Sequence, residues 1–201
     1  MRSDYILTQA ERKVISALAK SGALTRYDFT LGGKRVRGSR TALMSSETWL
    51  KVWKHIGPEG LNLIHHLRGR PKTLLLPVKR GSKPIWLTEA GVYAALMLGA
   101  SPKMLLKNVK RYYPENQTVQ CFVEASPYLN PDALRYCWAK IVNKETPTIK
   151  DYSIILQFHA ENPEALEGIL KVLKKYPQVY VMVKAEISKR FETVKEGLET
   201  L

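Results

Sequence analysis

The sequence predicts an α+β protein in two parts, residues 1–115 and residues 116–201. Three observations support this prediction. Apolar residues recur with helical spacing in several segments that begin at a capping residue. Between two of these segments lie two short apolar runs joined by a basic turn, the pattern of a β-hairpin. After residue 116, segments predicted as strands alternate with segments predicted as helices, which is typical of a small α/β domain.

The first predicted helix covers residues 8–19, where Val14 and Leu18 belong to one apolar stripe. Thr8 and Glu11 have the spacing of a capping box. A basic segment with glycines follows and predicts a flexible loop or arm. Its cations can form a solvated surface, or they can contact phosphates as the arm becomes ordered on DNA. These cations are Lys34, Arg35, Arg37 and Arg40.

Two helices are predicted next, residues 46–55 and residues 58–67, separated by a glycine-proline break. The tryptophans of the first helix fall on one apolar face, and Lys51 and Lys54 face away from it. On the second helix the leucines and isoleucine point inward. Its outward side chains are Asn62, His65 and His66.

The hairpin is predicted from residues 73–78 and 85–87, joined by a basic turn. Thr88 can then cap a helix over residues 89–98, and a further helix follows from Pro102 to about residue 113. Cations are concentrated on both sides of the first predicted strand. They are Arg68, Arg70, Lys72, Lys79, Arg80 and Lys83.

The phrase Ile85-Trp-Leu-Thr-Glu-Ala-Gly-Val-Tyr-Ala-Ala-Leu96 resembles the end of the wing and the following helix in winged helix-turn-helix DNA-binding proteins, including prokaryotic transcription regulators. The resemblance covers roughly the first half of the chain. It implies an N-terminal winged helix-turn-helix, followed by a small α/β domain with a C-terminal amphipathic helix. It also implies a transcription regulator without enzymatic activity. Helix 58–67 would lie in the major groove, with Asn62 on an adenine edge, and wing 73–87 would contact phosphates.

The charge distribution favours a polyanionic partner. The chain has 32 basic and 18 acidic residues, a formal net charge of +14. Residues 1–115 contain 21 basic and 7 acidic residues, and residues 116–201 contain 11 of each. The whole excess therefore lies in the part that contains the predicted hairpin, which is the pattern expected of a nucleic-acid-binding surface.

The second part is predicted to contain strands at residues 118–124, 152–159 and 178–183, with helices between them. Residues 154–185 resemble half of the ferredoxin-like ligand-sensing domains that accompany some prokaryotic winged helices. An amphipathic helix is predicted over residues 186–201. Its stripe can dock on the chain's own sheet or hold a homodimer together. The stripe includes Ile187, Phe191, Val194 and Leu198.

Two other functions remain open on the sequence. RNA binding is possible because charge alone does not distinguish polyanions, although the aromatic-glycine signature of an RNA-recognition sheet is missing. The box from His65 to Arg68 resembles the His-x-x-Arg box of tyrosine recombinases, which are DNA strand-transfer enzymes. Residues 68–71 also match the core of the AT-hook, which lies in A·T minor grooves.

No cofactor or metal is predicted. No phosphate-binding glycine loop or zinc-protease helix occurs, and the neighbouring histidines have no third ligand close in sequence. Cys121 and Cys137 lack the spacing of a zinc site or a disulfide framework and are expected to be buried free thiols. Without an apolar leader or a run long enough to span a bilayer, a cytoplasmic protein is expected.

Overall fold

The computed structural model describes residues 7–30, 42–67, 83–129 and 163–185, and the single positions 136, 139, 140 and 143. In chain order the elements are α1 (Gln9–Ser21), β1 (Leu24–Thr25), α2 (Arg26–Thr30), α3 (Ser46–Ile56), β2 (Ile64–His66), β3 (Pro84–Leu87), α4 (Glu89–Met97), α5 (Pro102–Tyr112), α6 (Gln117–Ala125), a short 3-10 helix (Ser126–Tyr128) and α7 (Pro163–Leu173). Residues 177–185 are also helical. The described part is mostly helical with a small antiparallel sheet, so the α+β class is confirmed at that level.

Side-chain caps begin three of the predicted helices, and at Thr8 and Thr88 the capping residue is the one that the sequence predicts. At the start of α1, Thr8 and Glu11 form both hydrogen bonds of a capping box. The Ser45 hydroxyl accepts a hydrogen bond from the Thr48 amide at the start of α3, at 3.1 Å. The Thr88 hydroxyl accepts one from the Gly91 amide at the start of α4, at 3.0 Å. Each cap satisfies an amide that the first turn of a helix leaves without a partner, so these starts could be predicted locally.

The sheet has the order β1-β3-β2, and both of its pairings are antiparallel. On one edge of β3, Leu24 lies opposite Ile85; on the other edge, Ile64 lies opposite Leu87. Strand β3 is buried along its whole length, and the Trp86 side chain at its centre is completely inaccessible to solvent. The middle strand β3 therefore lies in the core, while β2 becomes exposed toward His66.

The prediction of a helix over residues 58–67 is wrong. Residues 58–61 form a turn, and residues 64–66 are strand β2. Asn62 lies between them with a φ of 51°, a left-handed conformation that asparagine tolerates better than most residues and that an α-helix does not contain. The apolar spacing of Leu61 and Ile64 fits a helical stripe, but both are buried through a turn and a strand instead.

The second strand of the predicted hairpin is confirmed. Residues 84–87 form β3, which contains the predicted strand 85–87, and β2 pairs with one edge of it. The other edge of β3 is occupied by β1. The other predicted strand, residues 73–78, lies outside the described residues.

Two of the strands predicted after residue 116 are helices. Residues 118–124 lie within α6, and residues 178–183 lie within the helical segment 177–185. In the latter, Val179 and Val183 are buried at helical spacing while Val181 and Met182 are exposed. The β-branched residues there suggest a strand, but packing of one helical face outweighs that local preference. The predicted strand 152–159 lies outside the described residues.

Helix α6 packs against α4, α5 and α7, so the described core continues across the predicted boundary at residue 116. The rings of Phe122 in α6 and Tyr93 in α4 meet edge to face, with centroids 4.6 Å apart. Cys121 is a buried free thiol as predicted, and burial raises its pKa to about 12. The Glu124 carboxylate binds Lys175 and Tyr176 at 2.6 and 2.7 Å, which fixes the end of α7 against α6.

Gly91 is required where α4 passes over the chain that enters β2. A Cβ atom added at Gly91 would lie 1.9 Å from the carbonyl oxygen of Leu63, a backbone atom that cannot move alone. The Thr88 hydroxyl, which caps the same helix, also donates to the carbonyl of Asn62. The start of α4 is therefore held directly against the turn between α3 and β2.

We expect Gly91→Ala to destabilise the protein by roughly 1–3 kcal/mol or more, because the added methyl overpacks a contact with rigid backbone. Gly99→Ala is the matched control. Gly99 has a φ of 78° and nothing within 4 Å of an added Cβ, so its substitution costs only backbone strain. Urea unfolding of both variants measures the difference. A loss for Gly91→Ala no larger than that for Gly99→Ala contradicts the proposed contact.

Candidate nucleic-acid interface

The solvent-facing side of α3 is the centre of the candidate interface. Its buried side chains are Trp49, Val52 and Ile56. Its exposed side chains occupy the opposite arc and are Ser46, Glu47, Leu50, Lys51 and Lys54. We call these five residues the α3 face. Lys51 and Lys54 point to solvent as the sequence predicts, so both could reach the phosphates of a bound nucleic acid.

The α3 face carries one ion pair that is easily broken. The Lys51 ammonium lies 2.8 Å from a Glu47 carboxylate oxygen, one helical turn away. Their hydrogen bond lowers the pKa of Glu47 and raises that of Lys51, and their charges act in the same direction. Both side chains are more than three-quarters exposed. Solvent therefore screens the attraction between the two charges, and water can hydrogen-bond to each group in place of its partner. A phosphate could therefore replace Glu47 as the partner of Lys51.

The opposite side of α3 is held rigidly in place. The ring of Trp49 stacks on Phe29 of α2 with centroids 5.0 Å apart, and the ring of Trp53 stacks on Trp49 at 5.9 Å. Near the other end of the helix, Nδ1 of His55 lies 2.6 Å from a carboxylate oxygen of buried Glu11. Because Glu11 also completes the α1 capping box, the end of α3 is tied to the start of α1.

His66 and Lys83 lie at the end of the β2–β3 ladder, beside α3. His66 is exposed, and its ring lies 4.7 Å from that of Trp53 in α3. Partial burial and the nearby charge of Lys83 lower the pKa of His66, while its hydrogen bond to the Pro84 backbone raises it. Trp53 thus connects α3 to the end of the hairpin from which the basic segment 68–82 departs.

His65 faces the interior and has a structural role. The Tyr113 hydroxyl donates to the carbonyl of Leu87 at 2.7 Å, so its oxygen is left to accept from Nε2–H of His65 at 3.0 Å. This assigns the proton of the neutral ring to Nε2. Burial, then the neighbouring His66, lowers the pKa of His65; burial, then Glu89, raises that of Tyr113. Both groups are kept neutral where the end of α5 meets β2 and β3.

Two of the three outward residues predicted on helix 58–67, Asn62 and His65, are therefore in other environments. Asn62 is exposed on the turn before β2, and its carbonyl accepts from Thr88. His65 is half-buried on β2, with its ring against Tyr113. Neither can be presented to a groove by a helix over residues 58–67, because that helix does not form.

Of the predicted nucleic-acid contacts that the structure describes, five are exposed: Lys51, Lys54, Asn62, His66 and Lys83. The structure brings His66 and Lys83 together and places His66 beside α3. The remaining predicted cations lie outside the described residues: Lys34, Arg35, Arg37, Arg40, Arg68, Arg70, Lys72, Lys79 and Arg80. The predicted dimerisation residues also lie outside them: Ile187, Phe191, Val194 and Leu198.

Sequence reasoning missed Leu50, which is 58% exposed, and Tyr27 on α2, which is 45% exposed. A signal for Leu50 was present. Leu50 lies outside the apolar stripe of α3 and near charged residues, so its position in the sequence predicts an exposed side chain. Tyr27 gave no such signal, because α2 has only five residues and a periodic pattern cannot be read from so short a helix.

The described residues contain no cluster of three or more side chains that could ligate a metal ion. Within the same ranges, no helix combines the length and the apolar character needed to cross a bilayer.

Acidification should weaken the fold through His65. Its pKa is lowered in the folded state, so below about pH 6.5 the unfolded chain binds more protons and unfolding is favoured. We expect the free energy of unfolding to fall between about pH 7.5 and pH 5.5. In His65→Gln the fall should be smaller, because glutamine can donate to Tyr113 but cannot titrate. Urea unfolding across this range measures the effect. An unchanged pH dependence in the variant would falsify it.

In comparisons with known proteins, no family model, curated protein or solved structure matches this chain.

Proposed function

We propose that this protein binds duplex DNA as a winged-helix transcription regulator, with α3 as the reading helix and the β2–β3 connection as the wing. The observation that carries the proposal is the contact between Trp53 of α3 and His66 of β2. It places the exposed α3 face beside the end of the hairpin where the cationic connection begins. A helix flanked by a cationic loop is the arrangement by which such proteins contact base edges and phosphates together.

The order of elements supports the same plan. A helix pair, α2 and α3, precedes the antiparallel pair β2 and β3, and β1 completes the sheet on the far edge of β3. In a helix-turn-helix the second helix of the pair enters the major groove. That helix is α3 here, so the reading role moves from residues 58–67 to Ser46–Ile56.

Charge supports a nucleic acid rather than a neutral partner. The net charge of +14 lies within residues 1–115, the part that contains α3 and the hairpin. In the connection between β2 and β3, Arg68, Arg70, Lys72, Lys79, Arg80 and Lys83 are all basic. Release of counterions from DNA by such a cluster supplies affinity that does not depend on sequence, and the α3 face would supply the sequence preference.

RNA is the second candidate polyanion. RNA binding is supported by the exposed Tyr27 of α2 and Leu50 of α3, because aromatic and apolar side chains can stack on unpaired bases. Duplex DNA is favoured because the exposed side of α3 is a convex helix, which fits the wide major groove of B-form DNA but not the narrow major groove of A-form RNA.

A salt titration of full-length Lys83→Ala tests the wing. We expect the slope of log affinity against log salt to decrease in magnitude by about one, on specific and random duplexes alike, because one phosphate contact is lost. Lys171→Ala is the matched control, since it removes an exposed lysine from α7 in the part of the chain without net charge. A control variant with the same loss of slope contradicts the assignment. A hairpin RNA that binds more tightly than duplex DNA favours the RNA alternative instead.

We propose in addition that the stripe from Ile187 to Leu198 forms a homodimer contact, since winged-helix regulators often read two-fold sites. Phe191→Asp should give a folded monomer in sedimentation, because a buried charge without a partner opposes association. Val181→Asp introduces the same charge at an exposed site of the preceding helix and should leave the dimer intact. A wild-type protein that is monomeric at all concentrations rules out the dimer.

A further inference from the structure

We propose that Leu50 is a specificity-determining residue that contacts the 5-methyl group of a thymine in the bound duplex. The inference rests on the proposed function and deepens it. It starts from the one large apolar side chain of the α3 face: Leu50, with 58% of its surface open to solvent, lies among charged and polar side chains.

Leu50 lies on the solvent-facing arc of α3, beside Lys54. At 100° per residue, the five residues of the α3 face span about 140°, and Leu50 lies inside this arc, about 40° from Ser46 on one side and about 40° from Lys54 on the other. Lys54 follows one turn later, about 6 Å along the helix axis. With the helix in the major groove, an apolar side chain on this arc can reach a base edge, while the longer lysines beside it can extend to phosphates.

The chemistry of the surroundings selects the partner. Lys51 and Lys54 are exposed beside Leu50, so the surface suits an apolar group that is itself surrounded by anionic groups. A thymine methyl in the major groove is such a group, because phosphates line both sides of the groove. An apolar protein partner would have to desolvate both lysines, which is costly without acidic partners for them.

The contact has a predictable size. Burial of one methyl or methylene group is worth about 0.8 kcal/mol, which corresponds to about a fourfold change in affinity. Leu50 would therefore contribute a preference for thymine at one base pair, added to the affinity that the cations supply.

The test uses the full-length protein and a duplex selected from random sequences. Each thymine of the selected duplex is replaced in turn by deoxyuridine, which removes the methyl group and keeps the base pair. We expect one replacement to weaken binding of the wild-type protein about fourfold. Leu50→Ala should bind the selected duplex more weakly by a similar factor and should not distinguish thymine from deoxyuridine at that position.

Three further measurements keep the result interpretable. Thermal unfolding of Leu50→Ala should match the wild type, because the side chain is exposed. Leu50→Met should restore most of the discrimination, since it again presents an apolar side chain of similar length. Val181→Ala, at a more exposed apolar site outside the interface, should change neither affinity nor discrimination.

The inference and the proposed function fail in different ways. If no duplex is bound or enriched, the proposed function is wrong. If a duplex is bound but every deoxyuridine replacement is neutral, only the role of Leu50 is overturned. The same conclusion follows if Leu50→Ala keeps the thymine preference, or if Leu50→Ala has wild-type affinity and Leu50 serves another partner.

Discussion

The described core depends on the burial of Trp86 in the middle strand of the sheet. An indole ring brings a large apolar surface and one N–H group that must find an acceptor when buried. Here Nε1 of Trp86 donates to the carbonyl of Leu18 at 3.2 Å, in the last turn of α1. Its ring also contacts Tyr112 and Tyr113 at the end of α5. One side chain therefore joins α1, the sheet and α5.

This arrangement determines where the candidate interface lies. Strand β3 is fixed by Trp86, and β2 pairs with it, so the position of His66 at the end of β2 follows. Helix α3 is fixed independently, through Glu11 on α1 and Phe29 on α2. The contact between Trp53 and His66 is the place where these two sets of constraints meet. The α3 face and the cationic hairpin end are adjacent because α1 supports both.

The sequence allowed the helix starts to be predicted because capping is local. Thr8, Ser45 and Thr88 each bond to an amide within three residues, so neither the sheet nor the core is needed to recognise them. Strand β2 could not be predicted in this way. Its partner β3 begins eighteen residues after His66, and the apolar spacing before it fits a helix equally well. Residues 64–66 form a strand because they pair with β3, which is distant in sequence.

Contacts that are distant in sequence also explain the wrong predictions after residue 116 and in the candidate interface. Residues 178–183 favour a strand locally, and they become helical because Val179 and Val183 are buried on one helical face. In the site, the exposure of Lys51 and Lys54 followed from the stripe of α3, which was predicted correctly. The assignment of the reading role to Asn62 and His65 depended on the helix over residues 58–67 and failed with it.

The two tyrosines that end α5 give the molecule a mechanical property. The Tyr112 hydroxyl accepts from the amide of Ala23, immediately before β1, and the Tyr113 hydroxyl binds the backbone of β3 and a side chain of β2. Two consecutive residues at the end of α5 are thus hydrogen-bonded to the residue before β1, to β2 and to β3. Sliding or rotating α5 would break several of these bonds together, so the position of α5 depends on that of the sheet. Helix α6, which packs on α5, is therefore coupled to the sheet through the two tyrosines at the end of α5.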